Sequence, residues 1–218
     1  MLVAGADEAG RGCVLGPLVI AVAVAKEEAA AGLKAAGVKD SKLLSASARE
    51  RLALLVRKEC GVLVEKITAE ELNVLMKKKV SLNEIEAMRI ARMLAKLGED
   101  VKAVYVDSPD TDPKRFEKRI RKYHDAPFAI VSEHKADFRY PIVGAASIVA
   151  KVERDAEIER IKKIVGYDFN SGYSSDEVTI EYLKKNLHNP KLRPYIRMEW
   201  KTVVNMKQRK ISEFGEEK

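Results

Sequence analysis

Four acidic residues follow apolar runs in this chain. Leu2-Val3-Ala4-Gly5-Ala6 leads into Asp7-Glu8, and Val101 to Val106 leads into Asp107. Phe128 to Val131 leads, through Ser132-Glu133-His134-Lys135-Ala136, to Asp137. In open α/β sheets, ligands gather in the crevice beyond the strand ends. Carboxylates converging there repel one another, and the usual relief is a shared proton or a bound cation. Hard divalent ions take carboxylate oxygens, and a pair of them suits phosphoryl transfer, so the matching chemistry is hydrolysis of a phosphodiester. Each acid also has a plainer reading. Asp7-Glu8 can be a solvated turn, Asp107 a strand end beside Ser108-Pro109-Asp110, and Asp137 a helix cap. Their joint recurrence after apolar strands favours the metal reading.

The turn Gly10-Arg11-Gly12 follows the first acid pair at once. A regular strand sends Asp7 and Glu8 to opposite faces, so a local twist is expected, eased by Gly5, Gly10 and Gly12. A dinucleotide loop is disfavoured, because the G-x-G-x-x-G pattern needs glycine where Leu15 stands and two acids at the loop mouth would repel a pyrophosphate. Ser147 and Lys151 are four apart in a long helical pattern and share a face, which suits a backbone phosphate or simply a solvated lysine over a small serine. Lys42 beside Ser41 is either a phosphate contact or a surface turn. Tyr173, in a glycine-serine loop, suits packing on a sugar or base as well as a packing role of its own. His134 lies near Asp137, whereas His124 and His188 have no partner at metal-ligand spacing.

The elements that must position these residues are strand-rich first and then alternate. Val14 to Ala25 can pair antiparallel with the first run. Ser47 with Glu50, Thr68 with Glu71, Ser81 with Glu84 and Ser174 with Glu177 have capping-box spacing, and Asp112-Pro113 opens a basic helix. A long helical pattern runs from about Ile142 to Val165. The order predicts an α/β fold, a mixed sheet flanked by helices, with a change of character from Gly166 onward.

With 218 residues, 46% of them hydrophobic, the chain can bury a core and is no disordered tail. Its net charge of +7 suits a polyanionic partner, although surface lysines alone give the same sum. Cys13 and Cys60 fit no zinc spacing and suit a reduced setting, and no charged leader precedes the first apolar run. Lys26 interrupts the longest apolar candidate well short of the roughly 18 residues that span a bilayer. A cytoplasmic, monomeric protein without membrane contact is expected.

Asp7-Glu8-Ala9-Gly10-Arg11-Gly12, Asp40-Ser41-Lys42, the strand ending at Asp107, Glu133-His134-Lys135-Ala136-Asp137, Ala145-Ala146-Ser147-Ile148-Val149-Ala150-Lys151 and Ser171-Gly172-Tyr173 together resemble ribonuclease HII, of the archaeal type. The resemblance covers nearly the whole chain, in order. It implies a ribonuclease H-like five-stranded fold over residues 1–165 and a helical substrate-binding extension over 166–218. It implies cleavage of RNA in RNA–DNA hybrids and on the 5′ side of ribonucleotides embedded in duplex DNA, leaving 3′-hydroxyl and 5′-phosphate ends. Asp7, Glu8, Asp107 and Asp137 match the family's catalytic carboxylates, which hold two Mg2+ or Mn2+ ions. Gly10, Arg11 and Gly12 match the turn that senses the 2′-hydroxyl. Tyr173 matches the tyrosine that stacks on the neighbouring deoxyribose, and Lys42, Ser147 and Lys151 match phosphate contacts. The resemblance also leaves room for a replication clamp docking on the C-terminal tail. Two departures stand out: Cys13 where the family commonly has proline, and Ser174 where it often has proline after the tyrosine. A DNA-only nuclease of the same fold and a basic binding module without catalysis are the rival expectations.

Overall fold

The computed structural model describes residues 1–38 and 44–215, so Lys42, with Asp40 and Ser41, lies outside the described residues. Along the chain run β1 (Leu2–Ala9), β2 (Leu18–Lys26), α1 (Glu27–Ala35), α2 (Ala46–Glu59), β3 (Gly61–Ile67), α3 (Ala69–Lys77) and α4 (Leu82–Leu94). There follow β4 (Val101–Asp107), α5 (Pro113–Tyr123), β5 (Ala129–Glu133), α6 (Ala136–Arg139), α7 (Pro141–Val165), α8 (Glu177–Asn186) and α9 (Lys201–Gly215). Among the described residues, no helix is long and apolar enough to cross a membrane.

The chain forms two compact units. The first comprises Met1–Ala9, Val19–Lys66 and Ser81–Glu153, and the second Gly10–Leu18, Ile67–Val80 and the chain from Arg154 on. The division expected from sequence, at residue 165, treats α7 as one element of one domain. The two compact units part within that helix, after Glu153, and the second also includes two earlier segments.

The first unit carries a five-stranded sheet in the order β3-β2-β1-β4-β5. β1 is antiparallel to β2 from Leu2↔Lys26 to Ala9↔Val19, and parallel to β4 as far as Ala6↔Val106. β4 is parallel to β5 and ends on the pair Asp107↔Glu133. This is the mixed α/β sheet with flanking helices that the element order predicts. β2 is buried along nearly its whole length, as a strand covered on both faces must be. Its Ala21, Ala23 and Ala25 share a core with Ala145, Ala146 and Ala150 of α7. Small residues there let helix and sheet approach closely. The approach is tightest at Gly5, where a Cβ would lie 2.5 Å from the backbone of Ile142 and Val143.

Local capping corrects two expected helix starts. α2 begins on Ser45, whose hydroxyl accepts the Ala48 amide at 3.2 Å, and not on Ser47. α8 begins on Asp176, not Ser174: the Asp176 carboxylate takes the Thr179 amide and also the Ser171 amide and hydroxyl. A charged acceptor makes the stronger cap. Thr68 with Glu71 forms a complete capping box, and Asp112 caps α5 ahead of Pro113, both as expected.

The second unit packs Val14, Leu15, Ile158, Ile161, Phe169, Leu183, Leu192, Ile196 and Val203 into a core of its own. Two isolated bridges, Cys13↔Tyr173 and Leu15↔Ile196, tie the segment after Gly10 to the later loops.

Candidate active site

Asp7 and Glu8 do not lie past the end of a strand. Both are inside β1 and pair regularly with β2, Asp7 with Ala21 and Glu8 with Ile20. The twist expected within the pair is therefore absent; pleat alternation buries Asp7 while Glu8 is half-buried. The chain turns only at Gly10, whose φ of +86° and whose approach to the Pro17 carbonyl both require glycine. Gly5, rather than easing a twist, admits the α7 backbone.

Asp7 and Asp107 come directly after Ala6↔Val106, where β1 and β4 are parallel neighbours. Asp7 is 6% exposed. Burial, and after it the charges of Glu8 and Asp107, push its carboxyl well above the ordinary range. Hydrogen bonds from the Ser147 side chain and the Glu8 amide, the latter at 2.7 Å, partly oppose that shift. Asp107 accepts the Ala136 amide at 2.7 Å. It thereby anchors the start of α6, and Asp137 is the next residue. The Asp137 carboxylate, half-buried, takes the Phe138 amide at 3.0 Å. Asp7, Glu8 and Asp107 thus act on one another across β1 and β4, and Asp137 follows the residue whose amide Asp107 holds.

Ser147, which the resemblance matches to a phosphate contact, is 6% exposed and its side chain hydrogen-bonds Asp7. Lys151 is half-buried one turn further along α7. His134 is exposed and lies 3.3 Å from the Thr111 carbonyl.

The donor set suits a hard divalent cation. It is all oxygen, it contains one buried carboxylate whose charged form is opposed by two others, and cations relieve such repulsion. Among the described residues, no group of three His, Cys, Asp or Glu side chains is arranged to hold a metal ion as it stands. The buried Asp7 carboxylate, set beside Asp107 after the parallel pair Ala6↔Val106, is the observation that carries the fit.

In the second unit, Gly10, Arg11 and Gly12 meet the tyrosine loop. The Ser174 amide bonds the Gly12 carbonyl at 3.4 Å, and the Val14 and Leu15 amides both bond the Gly172 carbonyl, at 2.8 and 3.2 Å. A Cβ on Gly12 would touch the Tyr173 ring at 3.6 Å. Two arginines that sequence analysis passed over hold this arrangement. Arg197, fully buried, donates to the carbonyls of Arg11 at 3.1 Å and Gly16 at 3.0 Å. Arg154, 2% exposed, lies with its guanidinium carbon 4.5 Å over the Tyr173 ring. Arg154 had a signal: it follows Ser147 and Lys151 by seven and three, the spacing of one helix face. Arg197 had none, lying in an irregular segment.

Comparison with known proteins agrees with this architecture. A family model described as Ribonuclease HII matches residues 4–203. Ribonuclease HII of Archaeoglobus fulgidus is 44% identical over 211 residues, covering 97% of this chain and 99% of the relative. The crystal structure of ribonuclease H2 from Pyrococcus horikoshii OT3 superposes with a TM-score of 0.83 at 42% identity, covering 96% of this chain and 98% of that one. The A. fulgidus ribonuclease HII solved in complex with PCNA gives 0.83 at 43%, covering 92% and 96%. Matched over nearly its whole length in sequence and in backbone, the chain belongs to the ribonuclease HII family of endoribonuclease hydrolases.

Proposed function

We propose that this protein cleaves RNA in RNA–DNA hybrids and cuts on the 5′ side of ribonucleotides embedded in duplex DNA, leaving 3′-hydroxyl and 5′-phosphate ends. The observation that carries the reading is the buried Asp7 carboxylate, set against the charges of Glu8 and Asp107 on neighbouring strands. Asp7, Glu8, Asp107 and Asp137 would hold two divalent ions, Mg2+ or Mn2+. When bound, such ions activate the attacking water and stabilise the leaving oxygen of the phosphodiester. Asp107 fixes Asp137 by capping α6. Ser147 orients Asp7, and Lys151 and Lys42 are assigned to backbone phosphates.

Substrate choice is assigned to the second unit. The 2′-hydroxyl is what tells RNA from DNA at a given site, and the backbone of Gly10, Arg11 and Gly12 is assigned to read it. Tyr173 is assigned to stack on the sugar of the adjoining deoxynucleotide. In these terms residues 1–165 supply the catalytic domain and 166–218 a substrate-binding extension, assisted by the segment after Gly10. The charge of +7 favours a nucleic-acid partner. As in the A. fulgidus relative solved with PCNA, we assign a replication-clamp contact to this chain, through its C-terminal tail. We assign it to the cytoplasm as a monomer serving DNA replication and repair.

The test is a DNA duplex holding one ribonucleotide, incubated with and without Mg2+, with the cut mapped. Mg2+-dependent cleavage 5′ of the ribonucleotide is expected. Equal cutting of an all-DNA duplex would point to a DNA nuclease of the same fold, and binding without cutting to a non-catalytic module.

A further inference from the structure

We propose that Cys13 and Arg154 act together as positioning residues for Tyr173, fixing its ring in register with the Gly10-Arg11-Gly12 turn so that sugar and 2′-hydroxyl are tested as one unit. The proposal rests on the sugar-reading role assigned to Tyr173 above.

Arg154 is unusual for its depth. Its Nη2 donates to the Cys13 sulfur at 2.9 Å and to the Ser171 carbonyl, and its Nη1 to Asp155 at 2.9 Å. Its Nε is buried with no hydrogen-bond partner. Burying a guanidinium is costly unless its donors and charge are matched, and the single carboxylate here, on Asp155, is 36% exposed. Packing alone would be better served by an apolar side chain. What the guanidinium does make is a cation–π contact with Tyr173, and it reaches both sides of the recognition cluster. A Cβ on Gly10 would come within 3.3 Å of Arg154 Cγ, and one on Gly172 within 3.5 Å of its Nη2.

Cys13 completes the arrangement. It is fully buried, its backbone bridges that of Tyr173, and its sulfur accepts from Nη2 of the Arg154 guanidinium that lies over the Tyr173 ring. Its amide also closes the turn by donating to the Gly10 carbonyl at 3.2 Å, which a proline at this position would be unable to do. One residue therefore meets the turn through its amide, the tyrosine through its backbone bridge and the arginine through its thiol. Where a proline ring would stiffen the turn by covalent geometry, this chain ties it to the tyrosine by side-chain contacts.

The experiment compares Cys13→Ala, Cys13→Ser, Arg154→Lys and Tyr173→Ala on two substrates, a duplex with one embedded ribonucleotide and a long RNA–DNA hybrid. Steady-state kcat and KM are measured for each. Binding of both substrates is measured in an Asp107→Asn background, and Tm for every variant. Cys13→Ala and Arg154→Lys are expected to lower the embedded-to-hybrid ratio of kcat/KM about tenfold, the size of a desolvated cation–π contact or a comparable tether. The same ratio should fall in the binding measurement, and Cys13→Ser should restore most of it. Loss shared equally by both substrates, or an unchanged ratio while Tyr173→Ala shifts it, overturns the positioning role. A ratio unmoved by Tyr173→Ala overturns the reading beneath it, and the proposal with it. Should Arg154→Lys fail to fold, Cys13→Ala decides alone, since it removes one sulfur and keeps every backbone bond.

Discussion

Replacing Asp7 by Asn should make the ion-free protein more stable while abolishing its activity. Asn keeps acceptors and donors for the Glu8 amide and the Ser147 side chain, so the substitution removes little besides charge. Neighbouring strands lie about 4.8 Å apart, and Asp7 and Asp107 directly follow a parallel pair. Two unit charges about 5 Å apart repel by about 3 kcal/mol at an effective dielectric of about 20. Allowing for relaxation, a gain of about 1–3 kcal/mol is expected, or about 3–10 °C in Tm for a chain of this size. The sign with pH follows from the raised Asp7 carboxyl. The folded chain holds that proton more tightly than the unfolded one, so stability of the ion-free protein falls as pH rises through the folded value. Asp7→Asn should flatten that slope. The assay is thermal melting in mildly alkaline buffer, first with chelator and then with excess Mg2+. The variant should melt higher in chelator, and the order should narrow or reverse with Mg2+, which stabilises only the chain that binds it. A variant that melts at or below wild type in chelator, with no Mg2+ response in either protein, would refute the electrostatic basis of the site.

Asp107→Asn should nearly abolish turnover while leaving duplex binding intact, since Asn still accepts the Ala136 amide; cleavage and binding assays check both halves, and a wild-type rate would remove Asp107 from the site. Gly5→Ala should cost about 3 kcal/mol or more, lowering Tm by about 6–12 °C, because its Cβ would meet the Ile142 backbone; denaturant unfolding measures it. Glu84 is held down to about 2, first by the Tyr123 hydroxyl and then, against its burial, by Lys122 and Arg119. It stabilises the fold fully above its ordinary 4.5, and that stability is lost as pH falls toward about 2. Glu84→Gln should therefore cost about 1–3 kcal/mol near neutral pH and very little in strong acid, as acid titrations of the two proteins would show.

The sheet was legible because its strands are continuous apolar runs and its helices carry explicit caps. Even the errors have a local cause. Ser47 and Ser174 have the right spacing, but Ser45 and Asp176 stand nearer the true starts and Asp176 brings a charge. The acids drew notice by their recurrence after such runs. What the sequence concealed was the register of β1 on β4, which sets Asp7 and Asp107 after one parallel pair, and the amide donated to Asp107 from beyond β5. The role of Gly5 was hidden for the same reason, since its neighbour, Ile142, is far away in the chain. Glu84 shows the limit of motif spacing. Ser81 caps α4 as predicted, yet the Glu84 carboxylate, which a capping box would turn back onto Ser81, bonds Arg119, Lys122 and Tyr123 instead.

The amide that Ala136 gives to Asp107 makes two of the four acids mechanically dependent. Asp107→Ala would delete one carboxylate and release the helix turn that presents another, so an alanine scan would credit Asp107 with part of what belongs to Asp137. A double-mutant cycle at these positions should show strong epistasis, with the second lesion adding little to the first. In the same way, a lineage that lost both acids would not regain function by restoring Asp137 alone, because Asp107 holds the turn that presents it.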